Sequence, residues 1–229
     1  MIEESDSMRA DASPGPILIV GGYGSVGRRI AEFLLAANRE QEVVLAGRSI
    51  DRARAAAAVL GTRCLPRRLD VADARATREA FEAASAVVMT TEAHLQRTAR
   101  IAIDAGIPLV SIAASLEKLR SLAELDEEAR AKRGLIVNDV GLAPGLMNAM
   151  AHDLLAKIDP PRRLELILRL SAFGDHGREA VRWTLERAGE AGGLQSLSIP
   201  TPHGGNQGIL VDFVDREDFP SCEHVTSYL

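Results

Sequence analysis

Three glycines spaced G-x-G-x-x-G, in Gly22-Tyr23-Gly24-Ser25-Val26-Gly27, carry the clearest chemistry in the chain. They follow an unbroken apolar run, Ile17-Leu18-Ile19-Val20. They open a pattern in which Val26, Ile30, Phe33, Leu34 and Ala37 recur on one helical face. In that setting Gly22 permits a tight turn, Gly24 lets the backbone approach a pyrophosphate, and Gly27 allows close helix–strand packing. The free N–H groups and positive dipole end of the helix then face the phosphates. The spacing is common by itself, and a plain glycine turn is the competing reading. The strand–turn–helix context favours a dinucleotide.

The end of the next apolar run, Ala46-Gly47-Arg48-Ser49, bears on which dinucleotide. An NAD site would place a carboxylate there to accept from the ribose hydroxyls. This chain has no acid until Asp51. Arg48 offers a planar fork suited to a phosphate, and Ser49 adds a hydroxyl donor. NADP is therefore the expected cofactor; the alternative is a solvated Arg48 and a Ser49 that only caps its helix. Leu69-Asp70-Val71 lies at the third strand's end, where the adenine edge would rest. Asp70 could accept from the adenine amino group or cap the next helix. Thr90 and Thr91 end the fourth strand, facing the pyrophosphate or nicotinamide, although loop polarity explains them equally well.

A reductase also needs a proton donor near the carbon that receives hydride. His94 follows the fourth strand and could approach a nicotinamide pocket; an exposed first-turn histidine is the plainer reading. His152 lies within a helix beside Asp153, Asp175-His176 sits between two glycines, and His203 and His224 fall near the chain's end. No Ser-His-Asp order, paired carboxylates or metal-ligand spacing emerges, so no catalytic residue is singled out and no metal is expected.

The elements that must position these residues alternate along the chain. Strands are expected over 17–20, 42–46, 63–69, 86–89, 108–113 and 135–140. Helices are expected from Val26, from Ser49 to Leu60, and over 73–84, 92–105 and 116–133. Such alternation means βαβ units and a doubly wound parallel sheet, a Rossmann-type α/β fold, for residues 14–142. Residues 1–13 read as a flexible leader. Residues 143–229 read as a smaller, truncated α+β domain for substrate or dimerisation. It would hold a helix over 146–158, a strand over 164–170, a helix over 178–188 and a strand over 208–214.

Among 229 residues, 27 Lys+Arg against 32 Asp+Glu give a net charge of −5, which argues against broad nucleic-acid binding. All but three of the basic residues (Lys118, Lys132, Lys157) are Arg, and they are scattered. The two cysteines, Cys64 and Cys222, make no disulfide framework, and no apolar run is long enough for a membrane helix. A cytoplasmic protein acting on a small molecule, without nucleic acid or membrane, is expected. An exposed sheet edge in the second domain leaves a homodimer open.

Several segments together resemble the saccharopine dehydrogenase-like NADP oxidoreductases. They are Ile17 to Gly27, Val44-Leu45-Ala46-Gly47-Arg48, Leu69-Asp70-Val71, Ala105-Gly106-Ile107-Pro108, Gly141-Leu142-Ala143-Pro144-Gly145-Leu146 and the run from His176 to Thr184. The resemblance covers about Ile17 to Leu185, and the Ala-Pro-Gly turn and the His-Gly…Trp-Thr segment are its more specific parts. It implies NADP-linked hydride transfer at a carbonyl or imine carbon of an amino-acid-like or oxo substrate. Two departures stand against it. Such proteins commonly carry an acid in the fifth strand, where this chain has Ser111, and they are longer. An NADP(H)-binding sensor or truncated remnant without turnover is thus the rival expectation.

Overall fold

The computed structural model describes residues 15–113 and 115–158, together with 196–197 and 208–209. The first of its two units takes in all of 15–158. In that unit β1 (Ile17–Val20), β2 (Val43–Gly47), β3 (Cys64–Arg68), β4 (Ala86–Met89), β5 (Leu109–Ser111) and β6 (Ile136–Val137) form one sheet. Its order is β3-β2-β1-β4-β5-β6, and every pairing is parallel. The order reverses between β1 and β4, which opens a crevice at the carboxyl edge of the sheet. This is the doubly wound architecture expected from the alternation.

Alternate residues along the strands feed two cores, as a period of two requires. Leu18, Val20, Val44, Ala46, Val87 and Met89 pack on one face with Phe81 of α3 (Ala74–Glu82) and with Leu95, Ala99, Ala102 and Ile103 of α4 (Leu95–Ala105). Leu122, Leu125 and Ala129 join them from α5 (Leu116–Ala123), the turn after it and α6 (Asp126–Ala131). On the other face Ile19, Val43, Leu45 and Val88 meet Ala31 and Leu35 of α1 (Ser25–Ala37) and Ala56 and Ala57 of α2 (Ile50–Leu60). Phe81 is fully buried, a contribution of about 3 kcal/mol at most from its apolar area.

Pro66 is tolerated because β3 is the edge strand, where a missing N–H costs no pairing on the open side. Arg63 ties this edge to α1: its guanidinium donates to the carbonyls of Leu35 (2.8 Å), Asn38 (2.8 Å) and Gln41 (3.0 Å), placing a cation at the helix C-terminus. Ser49 caps α2 by accepting from Arg52 N, and Asp73 caps α3 by accepting from Ala76 N.

Several expectations shift, among them the strand expected over 108–113, which is Leu109–Ser111, and the helix expected from 92, which begins at Leu95. The helix expected over 116–133 is two helices, with Glu124 and Leu125 between them; Asp126, Glu127 and Glu128 fill the first turn of α6, where a helix N-terminus favours acids. The sixth strand is only two residues long, because Asp139 takes φ 58 and ends the extended run. After it a single π-type turn, Leu142–Leu146, leads into α7 (Met147–Leu155), so the helix expected from Leu146 starts one residue later. The strand expected over 164–170 and the helix over 178–188 lie outside the described residues. In the second unit β7 (Ser196–Leu197) pairs antiparallel with β8 (Gly208–Ile209); the remainder of the strand expected over 208–214 is likewise outside.

Candidate functional site

The glycine turn lies where β1 meets α1, at the point where the strand order reverses. Gly21, one residue before the motif, makes the turn: its φ is 80, and its N–H donates to Ala46 O at 2.8 Å. Gly22 lies inside the turn that Gly24 N closes on Gly21 O at 2.9 Å, and it also provides close approach, because a Cβ there would stand 2.9 Å from Leu45 Cα. Gly27 meets its expectation. A Cβ on it would stand 2.6 Å from Gly21 O and 2.7 Å from Gly22 Cα, so only glycine lets α1 start this close to the turn.

The start of α1 is left open. Its N-cap is Gly24, without a side chain to cap, and its first turn holds no acid. Among the described residues the N–H groups of Ser25, Val26 and Gly27 make no backbone hydrogen bond. Ser25 Oγ is buried and has no partner among the described residues. A buried hydroxyl left unsatisfied costs free energy, and so do uncapped helix donors. A phosphate group is an acceptor for the helix donors, and the Ser25 hydroxyl would reach it by turning outward about its Cα–Cβ bond, so the turn fits a pyrophosphate.

Tyr23 does not plug this turn. Its ring lies over Gly47 at the end of β2, where a Cβ would come within 2.5 Å of Tyr23 Cε1. Its hydroxyl accepts from Ser49 N at 3.2 Å. Arg52, one turn into α2, stacks on the ring with its guanidinium carbon 4.6 Å from the centroid. Arg48 is exposed and makes no hydrogen bond or ion pair among the described residues. Ser49 and Arg52 thus meet at Tyr23, next in the chain to Arg48, and sequence reasoning missed Arg52.

Asp70 accepts from Ala72 N at 3.0 Å, while the cap of α3 is Asp73. Val71 is buried, and its carbonyl accepts from Arg97 at 2.6 Å. Thr90 Oγ1 donates to Val20 O at 2.8 Å, tying β4 to β1 at the crevice, and Thr91 Oγ1 accepts from Ala93 N at 3.3 Å. His94 is exposed at the N-cap of α4 with φ 54, and His152 is exposed on α7, the plainer reading for both. Asp175, His176, His203 and His224 lie outside the described residues.

Ser111 is fully buried at the end of β5, its hydroxyl accepting from Ala113 N at 3.1 Å. Two carboxylates on the same edge were missed. Glu92, after β4, accepts from Ser115 N (3.1 Å) and Ser115 Oγ (2.9 Å), clamping two loops together. Asp139, after β6, has one buried carboxylate oxygen without a partner among the described residues, and burial raises its pKa. Positive φ at Asp139, together with the tight approach of Gly145 to its carbonyl, could not be read from spacing.

The family model of the saccharopine dehydrogenase NADP binding domain matches residues 17–138. The chain belongs to this family. Its cofactor is accordingly NADP, and the matched segment is the described sheet with its glycine turn. Saccharopine dehydrogenase (L-Glu forming) from Saccharomyces cerevisiae, crystallised in apo form, shares the fold with a TM-score of 0.55 and 22% identity. The match covers 62% of this chain and 31% of the yeast enzyme, so this chain spans about a third of that protein's length. An NADPH-dependent quinone oxidoreductase from Escherichia coli aligns with a TM-score of 0.42 and 17% identity, over 55% of this chain and 46% of that one. No curated protein matches the chain. Among the described residues, no helix is long and apolar enough to cross a membrane.

Proposed function

We propose that the protein is an NADP-dependent oxidoreductase that transfers hydride at a carbonyl or imine carbon of an amino-acid-like or oxo substrate. The observation that carries this reading is the open start of α1, with Ser25 Oγ buried and unpartnered at the switch point of the sheet. Ser25, Val26 and Gly27 would hold the pyrophosphate through their N–H groups and the Ser25 hydroxyl. Arg48 and Ser49, at the end of β2, would hold the 2′-phosphate of the adenosine ribose. Asp70 and Val71 would border the adenine, and Thr90 and Thr91 the pyrophosphate or nicotinamide. Gly22, Tyr23, Gly24 and Gly27 shape the turn on which this depends.

Bound NADPH supplies the hydride, and the protein supplies orientation and exclusion of water. The domain reading that accompanies this is a nucleotide domain over 14–142 after a leader over 1–13. Residues 143–229 would contribute to substrate binding or to a homodimer. A cytoplasmic location and a small-molecule substrate, with no nucleic acid or membrane involved, complete the reading.

Ser111 favours a second reading, an NADP(H)-binding sensor without turnover. It is sealed in the core at the strand position where the family resemblance implies an acid. One experiment separates the two: titrate NADPH and NADH by fluorescence, then screen oxo acids with amino acids for loss of NADPH absorbance. Turnover on any pair supports the oxidoreductase. Tight NADPH binding without turnover on all pairs supports the sensor, and binding of neither nucleotide overturns both.

A further inference from the structure

We infer that Arg52 is a specificity-determining residue, a second cation that reads the 2′-phosphate beside Arg48, and that Tyr23 is the residue that positions it. This rests on the reading of the crevice as an NADP site. The end of β2 is where the adenosine ribose lies in a sheet of this order. Three donors belong to this end of the strand: the exposed Arg48, without a hydrogen bond or ion pair among the described residues, the hydroxyl of Ser49, and the guanidinium of Arg52 over Tyr23.

Arg52 does not wave in solvent. The face of Tyr23 holds it at 4.6 Å, the geometry in which a ring quadrupole attracts a cation. Tyr23 is itself fixed twice, by its hydroxyl accepting from Ser49 N at 3.2 Å and by contact with the bare backbone of Gly47. Glycine at 47 is therefore explained by the ring above it, since a Cβ would stand 2.5 Å from Cε1 and 2.8 Å from Cζ. The neighbouring acid, Asp51, pairs with Arg54 at 3.7 Å, and among the described residues Arg52 has no ion pair. An arginine laid flat on an aromatic keeps its outer N–H edge free, and that edge suits a phosphate's oxygens.

The test measures affinity, by calorimetry, for NADPH, NADH and adenosine 2′,5′-bisphosphate in the full chain and in four variants. Arg52→Ala should weaken NADPH and the bisphosphate about tenfold, the low end for a hydrogen bond to a charged group at an exposed site, and leave NADH within about twofold. Tyr23→Ala should lower the preference for NADPH over NADH as much as Arg52→Ala does, and the double variant should lower it no further than either alone, because both act through one guanidinium. Tyr23→Phe keeps the ring face and should keep the NADPH preference. Equal loss of NADPH and NADH in Arg52→Ala, additive losses in the double variant, or a lost preference in Tyr23→Phe would each overturn the assignment. If the unaltered protein itself shows no preference for NADPH, the NADP reading of this site fails, a result distinct from the failure of Arg52 alone.

Discussion

Replacing Gly27 with Ala puts the contact between α1 and the glycine turn to a quantitative test. The added methyl carbon would stand 2.6 Å from Gly21 O and 2.7 Å from Gly22 Cα, about 0.8 Å short of ordinary contact. Both neighbours are backbone, so no side chain can swing aside; α1 must move outward by roughly that distance. Overpacking of this kind costs about 1–3 kcal/mol, and backbone neighbours place it near the upper end. Alanine returns about 1 kcal/mol through helix propensity, so the net loss is about 2 kcal/mol. For a chain of this size that lowers Tm by about 4–8 °C. The same displacement carries the donors of Ser25 and Val26 out of hydrogen-bond range, and NADPH affinity should fall at least about tenfold. Gly24→Ala is the contrasting case. Its φ of −73 suits any residue and its nearest obstacle is a single atom, Gly21 O at 3.2 Å. Thermal unfolding by circular dichroism should find Tm within about 2 °C of the parent, while calorimetry finds NADPH binding weakened. An unchanged Tm in Gly27→Ala, or parental NADPH affinity in Gly24→Ala, would refute the reasoning.

Arg48→Ala should weaken NADPH by about 1.5–3 kcal/mol and barely change NADH, measured by fluorescence titration; equal losses would contradict its role at the 2′-phosphate. Burial pushes the Cys64 thiol up to about 11, so in a Cys222→Ser variant Ellman's reagent at about pH 8 should react only after unfolding. The same shift means that folding stability held below the unfolded thiol's pKa of 9.0 is lost as pH rises toward about 11, a fall that urea titrations at alkaline pH should show and a Cys64→Ala variant should lack. Asp139 has a folded pKa raised by burial, so its carboxylate opposes folding once pH exceeds the ordinary value of 3.8. Asp139→Asn should raise Tm at pH 7, an effect reinforced by asparagine's tolerance of φ 58, and the charge-dependent part of the gain should vanish at about pH 3.

The parallel sheet was legible because its strands are apolar on both faces: Ile17–Val20 and Val43–Gly47 each feed two cores, which removes alternation from the sequence. The glycine turn was legible as a spacing, yet the division of labour within it was not. The left-handed φ falls on Gly21, outside the motif, and Gly22 serves packing against Leu45 across the sheet. Spacing along one chain cannot report what a neighbouring strand brings close. The same limit hid the Tyr23–Gly47–Arg52 arrangement, which joins the ends of β1 and β2 through a ring standing between them. The break between α5 and α6 carries no proline or glycine, and its only mark is the acid run at 126–128. Glu92 and Asp139 escaped notice because a carboxylate's place on the crevice edge depends on the loop's path, not on its residue type.

The central claim is that the open start of α1 cradles a nucleotide's phosphates, and amide correlation spectra recorded while NADPH is added test it most directly. The largest shifts should fall on the amides of Ser25, Val26 and Gly27, with Ser49 following only when the 2′-phosphate is present. Saturable binding of NADPH that leaves those four amides in place would contradict it.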